Sequence, residues 1–184
     1  MKVEIGPYPD YDAKQYELFE EFLVVNNRHV HVEIDDYDVW NMDSTLALIV
    51  LPMLKKLKEN KHGAPFVKLE DIPEHLRGVQ GDNFGHRVHV IETDDKHFER
   101  WDWVLDEMIF AFESKTFDWE DQFWDPKPEI DWERLMKKEV DESGYVPTPW
   151  KVEGKLDEEG RIAYQARISN GFRLFGVYYE GLWD

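Results

Sequence analysis

Apolar and polar side chains alternate in two short segments of the chain, His29 to Ile34 and Arg87 to Ile91. A period of two is typical of a strand that buries one face. We therefore expect a strand in each segment. The two strands either pair with each other or lie apart as separate edge strands, and residues 151–156 are a third candidate.

Four longer segments have the apolar spacing of α-helices, at about 43–60, 94–114, 130–140 and 158–179. In the first segment, apolar residues cover every side of the predicted helix. We expect its first half to be buried all round, with three leucines of this helix in the core: Leu48, Leu51 and Leu54.

The last predicted helix has a face of mostly small side chains that favours a close approach to another helix: Ile162, Ala166, Ser169 and Gly176. Gly171 weakens this helix or breaks it.

Together the elements predict a mainly helical α+β fold. We expect a single domain over residues 1–184, in which three to four helices pack with a small two- to three-stranded antiparallel sheet. Residues 116–156 are expected to form an irregular aromatic and acidic insertion.

Composition narrows the class of partner. The 184 residues include 22 Lys and Arg against 40 Asp and Glu, which gives a formal net charge of −18. Direct binding to nucleic acid or to an anionic membrane is disfavoured, because both need clustered basic side chains. The absence of cysteine excludes disulfides, thiolate catalysis and Cys-ligated zinc. No apolar run approaches the roughly 20 residues of a membrane span, and no signal peptide is recognisable.

The helix predicted at 94–114 has an acidic stripe beside its apolar arc. Like charges three or four residues apart cost about 0.2–0.5 kcal/mol each, so something must offset them. Either the stripe is solvated or paired within the fold, with Arg161, Arg167 or Arg173, or a basic partner covers it. The partner hypothesis takes the stripe, two adjacent aromatic residues and two tryptophans of the next loop: Asp95, Glu99, Asp102, Trp103, Asp106, Phe110, Glu113, Trp119 and Trp124.

Catalytic signatures are few. His29 and His31 lie on one face of a predicted strand, and His89 joins them if the two strands pair, with Glu33 nearby. Such a set suits zinc or iron, although surface histidines are the other interpretation. The sequence has no Gly-rich phosphate loop and no Gly-x-Ser-x-Gly motif. We therefore expect no cofactor, and binding rather than catalysis.

Eight tryptophans are many for this length, and several stand next to carboxylates. An indole N–H donates a hydrogen bond, and a nearby carboxylate is its natural acceptor. These pairs either fix loops onto the core or form aromatic anchors within an acidic rim, as at protein–protein hot spots.

Three stretches carry a resemblance: residues 37–54 with Lys61 to Phe66, Arg100 to Ile109, and Asn170 to Asp184. They are similar to a group of uncharacterised small proteins of tailed bacteriophages. The resemblance supplies no activity, cofactor or catalytic residue. It implies a phage accessory protein made in the cytoplasm of the infected bacterium.

The combined hypothesis is a non-catalytic anti-defence protein that binds and neutralises a host factor with a basic surface. An acidic surface can mimic nucleic acid and occupy the cleft of a defence nuclease or another nucleic-acid-binding protein. One alternative is a small-ligand binder that sequesters a nucleotide signal with Arg and Trp in a pocket. The other is a metal-dependent enzyme built on the histidines.

Overall fold

The computed structural model describes residues 1–5, 30–77, 94–137 and 150–183. These ranges contain four α-helices and three two-stranded antiparallel ladders, which confirms the predicted mainly helical α+β class. The chain divides into two compact units, residues 1–45 and 46–184. The expectation of a single domain over 1–184 stays a prediction beside this division.

The first unit is built on a pair of strands. β1 (Lys2–Ile5) and β2 (Val30–Glu33) are antiparallel, with Val3 opposite Val32. All four side chains of β2 are exposed, so the buried face expected for this strand is wrong. The expected partner strand at 87–91 lies outside the described residues. The sequence analysis did not predict β1, although Lys2, Val3, Glu4 and Ile5 also alternate between polar and apolar side chains.

A 3₁₀ helix, Asp36–Val39, follows β2 and leads to the long helix α1 (Met42–Asn60). Asp35 forms a capping box: its carboxylate accepts from the backbone N–H of Tyr37, and its own N–H donates to Asp38. This local network fixes the direction in which the side chains of the 3₁₀ helix leave the backbone.

The second unit is organised around α2 (His97–Glu113) and α4 (Glu158–Val177), which pack on each other. α1, α2 and α4 begin and end within three residues of their predicted bounds, while α3 (Trp132–Met136) is a single short turn of the segment predicted at 130–140. The core includes these buried side chains: Leu54, Val67, Ile72, Trp101, Val104, Leu105, Met108, Leu174 and Tyr178. The apolar arc predicted for α2 is therefore largely confirmed.

α1 is less buried than its composition suggested. Ala47 and Leu54 are its buried residues, Leu51 is half-buried, and Leu48 is 67% exposed. The expectation of a first half buried all round is wrong. An apolar residue on every side shows that a helix can be buried, but neighbouring elements decide which sides are covered.

The close approach between helices occurs at Gly171, and not along the predicted face of small side chains. Ile162, Ala166, Ser169 and Gly176 are exposed. A Cβ atom on Gly171 would lie 2.3 Å from the carbonyl oxygen of Glu107 and 2.5 Å from Cβ of Ala111. Gly171 therefore does not break α4; it lets the backbones of α2 and α4 meet.

The described parts of residues 116–156 contain short regular elements. A 3₁₀ helix spans Trp119–Phe123. β3 (Trp124–Asp125) pairs with β6 (Lys155–Leu156), and β4 (Glu129–Ile130) pairs with β5 (Trp150–Val152), which confirms strand structure within 151–156. Across the described ranges, no helix has both the length and the apolar character that crossing a bilayer requires.

Candidate binding surfaces

The acidic stripe of α2 is largely neutralised inside the fold. Three of its carboxylates pair with lysines spaced three residues apart, two on α1 and the third directly after its end: Lys55 with Glu113 at 2.5 Å, Lys58 with Asp106 at 2.5 Å and Lys61 with Asp102 at 2.6 Å. We call these three pairs the lysine ladder. Because the lysine numbers rise as the carboxylate numbers fall, the two helices run in opposite directions along the ladder. Within the described ranges, Asp95 and Glu99 are exposed and form no ion pair.

The arginines expected to neutralise the stripe have other partners. Arg167 makes a double contact with the buried Glu107 at 2.7–3.0 Å, and this carboxylate raises the pKa of the guanidinium. Arg173 pairs with Asp71 at 2.5 Å, and Arg161 with Glu158 at 2.6 Å.

Asp71 belongs to a buried polar network. Its second carboxylate oxygen accepts a 2.7 Å hydrogen bond from the hydroxyl of Tyr178, which in turn accepts from the backbone N–H of Lys68. Burial is the largest cause that raises the pKa of Tyr178, so the hydroxyl stays protonated and donates. This network ties the segment before α2 to the end of α4.

The aromatic residues proposed beside the stripe pack within the molecule. The ring centroids of Phe110 and Tyr164 lie 4.8 Å apart, and the ring of Trp119 stacks on the ring of Tyr164 with a centroid distance of 5.0 Å. Trp103 is half-buried against the core, and Trp124 is half-buried in β3. The sequence signal for this packing was Tyr164 on the last helix, which the partner hypothesis did not use.

Of the three histidines predicted to bind a metal, the structure describes one. His31 is exposed on β2, with Nε2 at 3.9 Å from the Glu33 carboxylate. His29 and His89 lie outside the described residues. Among the residues that the structure describes, no group of three metal-binding side chains comes together.

A different surface combines exposed aromatic rings with carboxylates. Tyr37 and Trp40 are 78% and 79% exposed. Their rings are nearly parallel, with centroids 6.4 Å apart and an interplanar angle of 6°. They lie three residues apart in a 3₁₀ conformation, whose three residues per turn place such side chains one above the other. We call residues 33–43 the aromatic–acidic surface.

The aromatic–acidic surface has an excess of negative charge. Residues 33–43 contain no Lys or Arg and five acidic residues: Glu33, Asp35, Asp36, Asp38 and Asp43. Asp38 pairs with the Met1 ammonium at 2.7 Å, which lowers the pKa of the carboxylate. The Asp36 carboxylate is exposed and has no partner within the described ranges. A cation that approaches the two rings therefore meets a local excess of negative charge, which includes the exposed carboxylate of Asp36.

An apolar pocket of about 530 Å³ lies between α1 and the end of α4. Its lining lies wholly within the described residues: Val50, Met53, Leu54, Leu57, Phe175, Tyr179 and Leu182. It contains no arginine and no tryptophan, so this pocket does not supply the groups that the nucleotide hypothesis requires.

Comparisons of the chain with protein-family models, with curated proteins and with solved structures found no match. The functional argument therefore depends on the surfaces described above.

Proposed function

We propose that this chain is a non-catalytic phage accessory protein that binds and neutralises a basic host protein, such as a defence nuclease or another nucleic-acid-binding protein. The aromatic–acidic surface is the observation that carries the proposal. It joins two rings that are almost four-fifths exposed with a segment that carries five acidic residues and no Lys or Arg. The phage origin depends on the resemblance of the three sequence stretches.

Large exposed aromatic residues are unfavourable in water, and they are enriched among the residues that dominate protein–protein binding energy. Tyr and Trp supply contact area with few rotatable bonds, so little conformational entropy is lost when a partner covers them. The carboxylates around Tyr37 and Trp40 add long-range attraction. They steer a basic partner towards the rings and discriminate against anionic ones.

The lysine ladder makes the α2 stripe a weaker candidate for the same role. A basic partner would have to displace Lys55, Lys58 and Lys61 before it met Glu113, Asp106 and Asp102. Asp95 and Glu99, which have no such lysines, stay available as a second negative contact on the unit of residues 46–184.

The test uses two variants of equal charge. Glu33→Gln/Asp36→Asn removes two carboxylates from the aromatic–acidic surface and spares the Asp35 cap. Asp118→Asn/Glu153→Gln removes two exposed carboxylates elsewhere. Each protein is immobilised and exposed to lysate of the infected bacterium, and each captured protein is then purified and its association rate measured against salt.

The expected result is capture of a basic protein by the wild type and by the control variant. Its association should be slowed several-fold in Glu33→Gln/Asp36→Asn and should be steeply salt-dependent. Capture of acidic or neutral proteins, or equal rates for both variants, would contradict the proposal.

A further inference from the structure

The chain contains an internal example of how it binds an arginine. Cζ of Arg167 lies 3.8 Å from the centroid of the Phe110 ring, while its N–H groups donate to Glu107. The guanidinium is thus held by an aromatic face and a carboxylate together. Both interactions suit this group, because it is planar, weakly hydrated and carries its donors in a fork.

The aromatic–acidic surface offers the same two elements without an arginine. Tyr37 and Trp40 present parallel rings, and the neighbouring residues 33–38 supply the carboxylates. The capping box of Asp35 holds the 3₁₀ helix and therefore the spacing of the two rings. This local hydrogen bonding restricts the conformations of the surface, which lowers the entropic cost of binding.

We propose that the aromatic–acidic surface binds arginine side chains of a basic partner protein, and that it prefers arginine to lysine. This inference rests on the proposed function and specifies its chemistry. A guanidinium stacks flat on an indole or phenol ring while its edge donates to a carboxylate. A lysine ammonium is more strongly hydrated and cannot stack, so it gains the charge attraction alone.

Other occupants fit the surface less well. Bases of single-stranded DNA stack on aromatic rings, but their phosphates would be repelled by the carboxylates of residues 33–43. A second copy of this chain also carries a formal net charge of −18, so the two copies would repel each other.

The test measures binding of the full chain to two synthetic peptides of equal length and charge, one arginine-rich and one lysine-rich, by isothermal titration calorimetry. A single-stranded oligonucleotide is a third probe. Trp40→Leu keeps an apolar side chain but removes the ring, and Trp40→Phe restores a ring. Trp132→Leu is the matched control, because Trp132 is 65% exposed and stands between Asp131 and Glu133. Circular dichroism checks that each variant is folded.

We expect the wild type to bind the arginine peptide about five-fold tighter than the lysine peptide, as one or two cation–π contacts would give. Trp40→Leu should abolish this preference, Trp40→Phe should keep part of it, and Trp132→Leu should leave it intact.

Equal binding of both peptides by the wild type would overturn the arginine preference and leave the proposed function standing. Failure of both peptides to bind would overturn both proposals. Oligonucleotide binding that is lost in Trp40→Leu would overturn the arginine site and assign the rings to nucleobases.

Discussion

Arg100 is a charged residue in the core, with 1% of its side chain exposed. Its guanidinium donates to the Asp94 carboxylate at 2.6–2.7 Å and to the carbonyl of Leu76 at 2.8 Å. The hydrogen bonds from Arg100 are the largest cause that lowers the pKa of Asp94. A pair like this one is costly to break, because the remaining charge stays buried without its counter-ion.

Asp94→Asn should lower the free energy of unfolding by about 2 kcal/mol at neutral pH, since Asp94 itself is one-third exposed. The folded pKa of Asp94 lies below its ordinary value of 3.8. The contribution is therefore complete above that value and is lost as the pH falls through the lowered pKa. Urea unfolding of both proteins across the acid range measures the difference, and a gap that persists unchanged in strong acid would contradict this assignment.

Gly171→Ala should destabilise the protein by more than about 2 kcal/mol, because the new methyl group collides with the backbone of α2. Gly176→Ala is the matched control on the same helix, where the added Cβ has no neighbour within 4 Å beyond the adjacent residues and backbone of α4 itself. Alanine favours a helix over glycine, so the control should be neutral or stabilising by up to about 1 kcal/mol. Thermal unfolding of both variants separates the two outcomes, and equal shifts would argue against the close contact.

At the scale of elements, the lysine ladder was only partly predictable from the sequence. Lys55, Lys58 and Lys61 lie at the end of the first predicted helix, and the like charges of the acidic stripe require a neutralising partner. Three-residue spacing on one helix says nothing about which other helix it faces, so the lysines were not matched to the stripe.

Helix bounds were predictable where a cap and a long apolar period coincide. α4 begins after Asp157, whose carboxylate accepts from the N–H of Gly160 at 3.0 Å, and such a cap is visible in sequence. The exposure of Leu48, the approach at Gly171 and the stacking of Trp119 on Tyr164 were not predictable. Each is decided by a neighbour distant in the chain.

The ladder predicts unequal effects of similar substitutions. Asp102→Asn removes the counter-ion of the Lys61 ammonium, whose side chain is 10% exposed. It should lower the free energy of unfolding by about 1–2 kcal/mol. Asp106→Asn affects Lys58, which is 33% exposed, and should cost less than about 1 kcal/mol. Asp95→Asn breaks no pair with a described residue and should be nearly neutral. Chemical denaturation ranks the three, and an equal loss in all of them would refute the ladder.

For the whole molecule, the net charge of −18 implies self-repulsion that the internal pairs only partly relieve. Raising sodium chloride from about 0.02 M to about 0.3 M shortens the screening length from roughly 20 Å to about 6 Å. We expect the midpoint of thermal unfolding to rise by about 2–4 °C. Potassium chloride is the control for ion-specific effects. A fall in the midpoint would show that attraction within pairs outweighs the repulsion.

The lysine ladder has a further consequence for how α1 finds its place along α2. Glu99 continues the series of acidic residues by one turn beyond Asp102. A displacement of α1 by one turn, three or four residues along α2, would bring Lys61 to Glu99 and Lys58 to Asp102. Lys55 would move from Glu113 to the uncharged Ile109 and Phe110, because Asp106 lies two turns from Glu113. The charges therefore favour the observed alignment by one pair only, and shape must supply the rest of the preference, through core side chains such as Ala47 and Leu54.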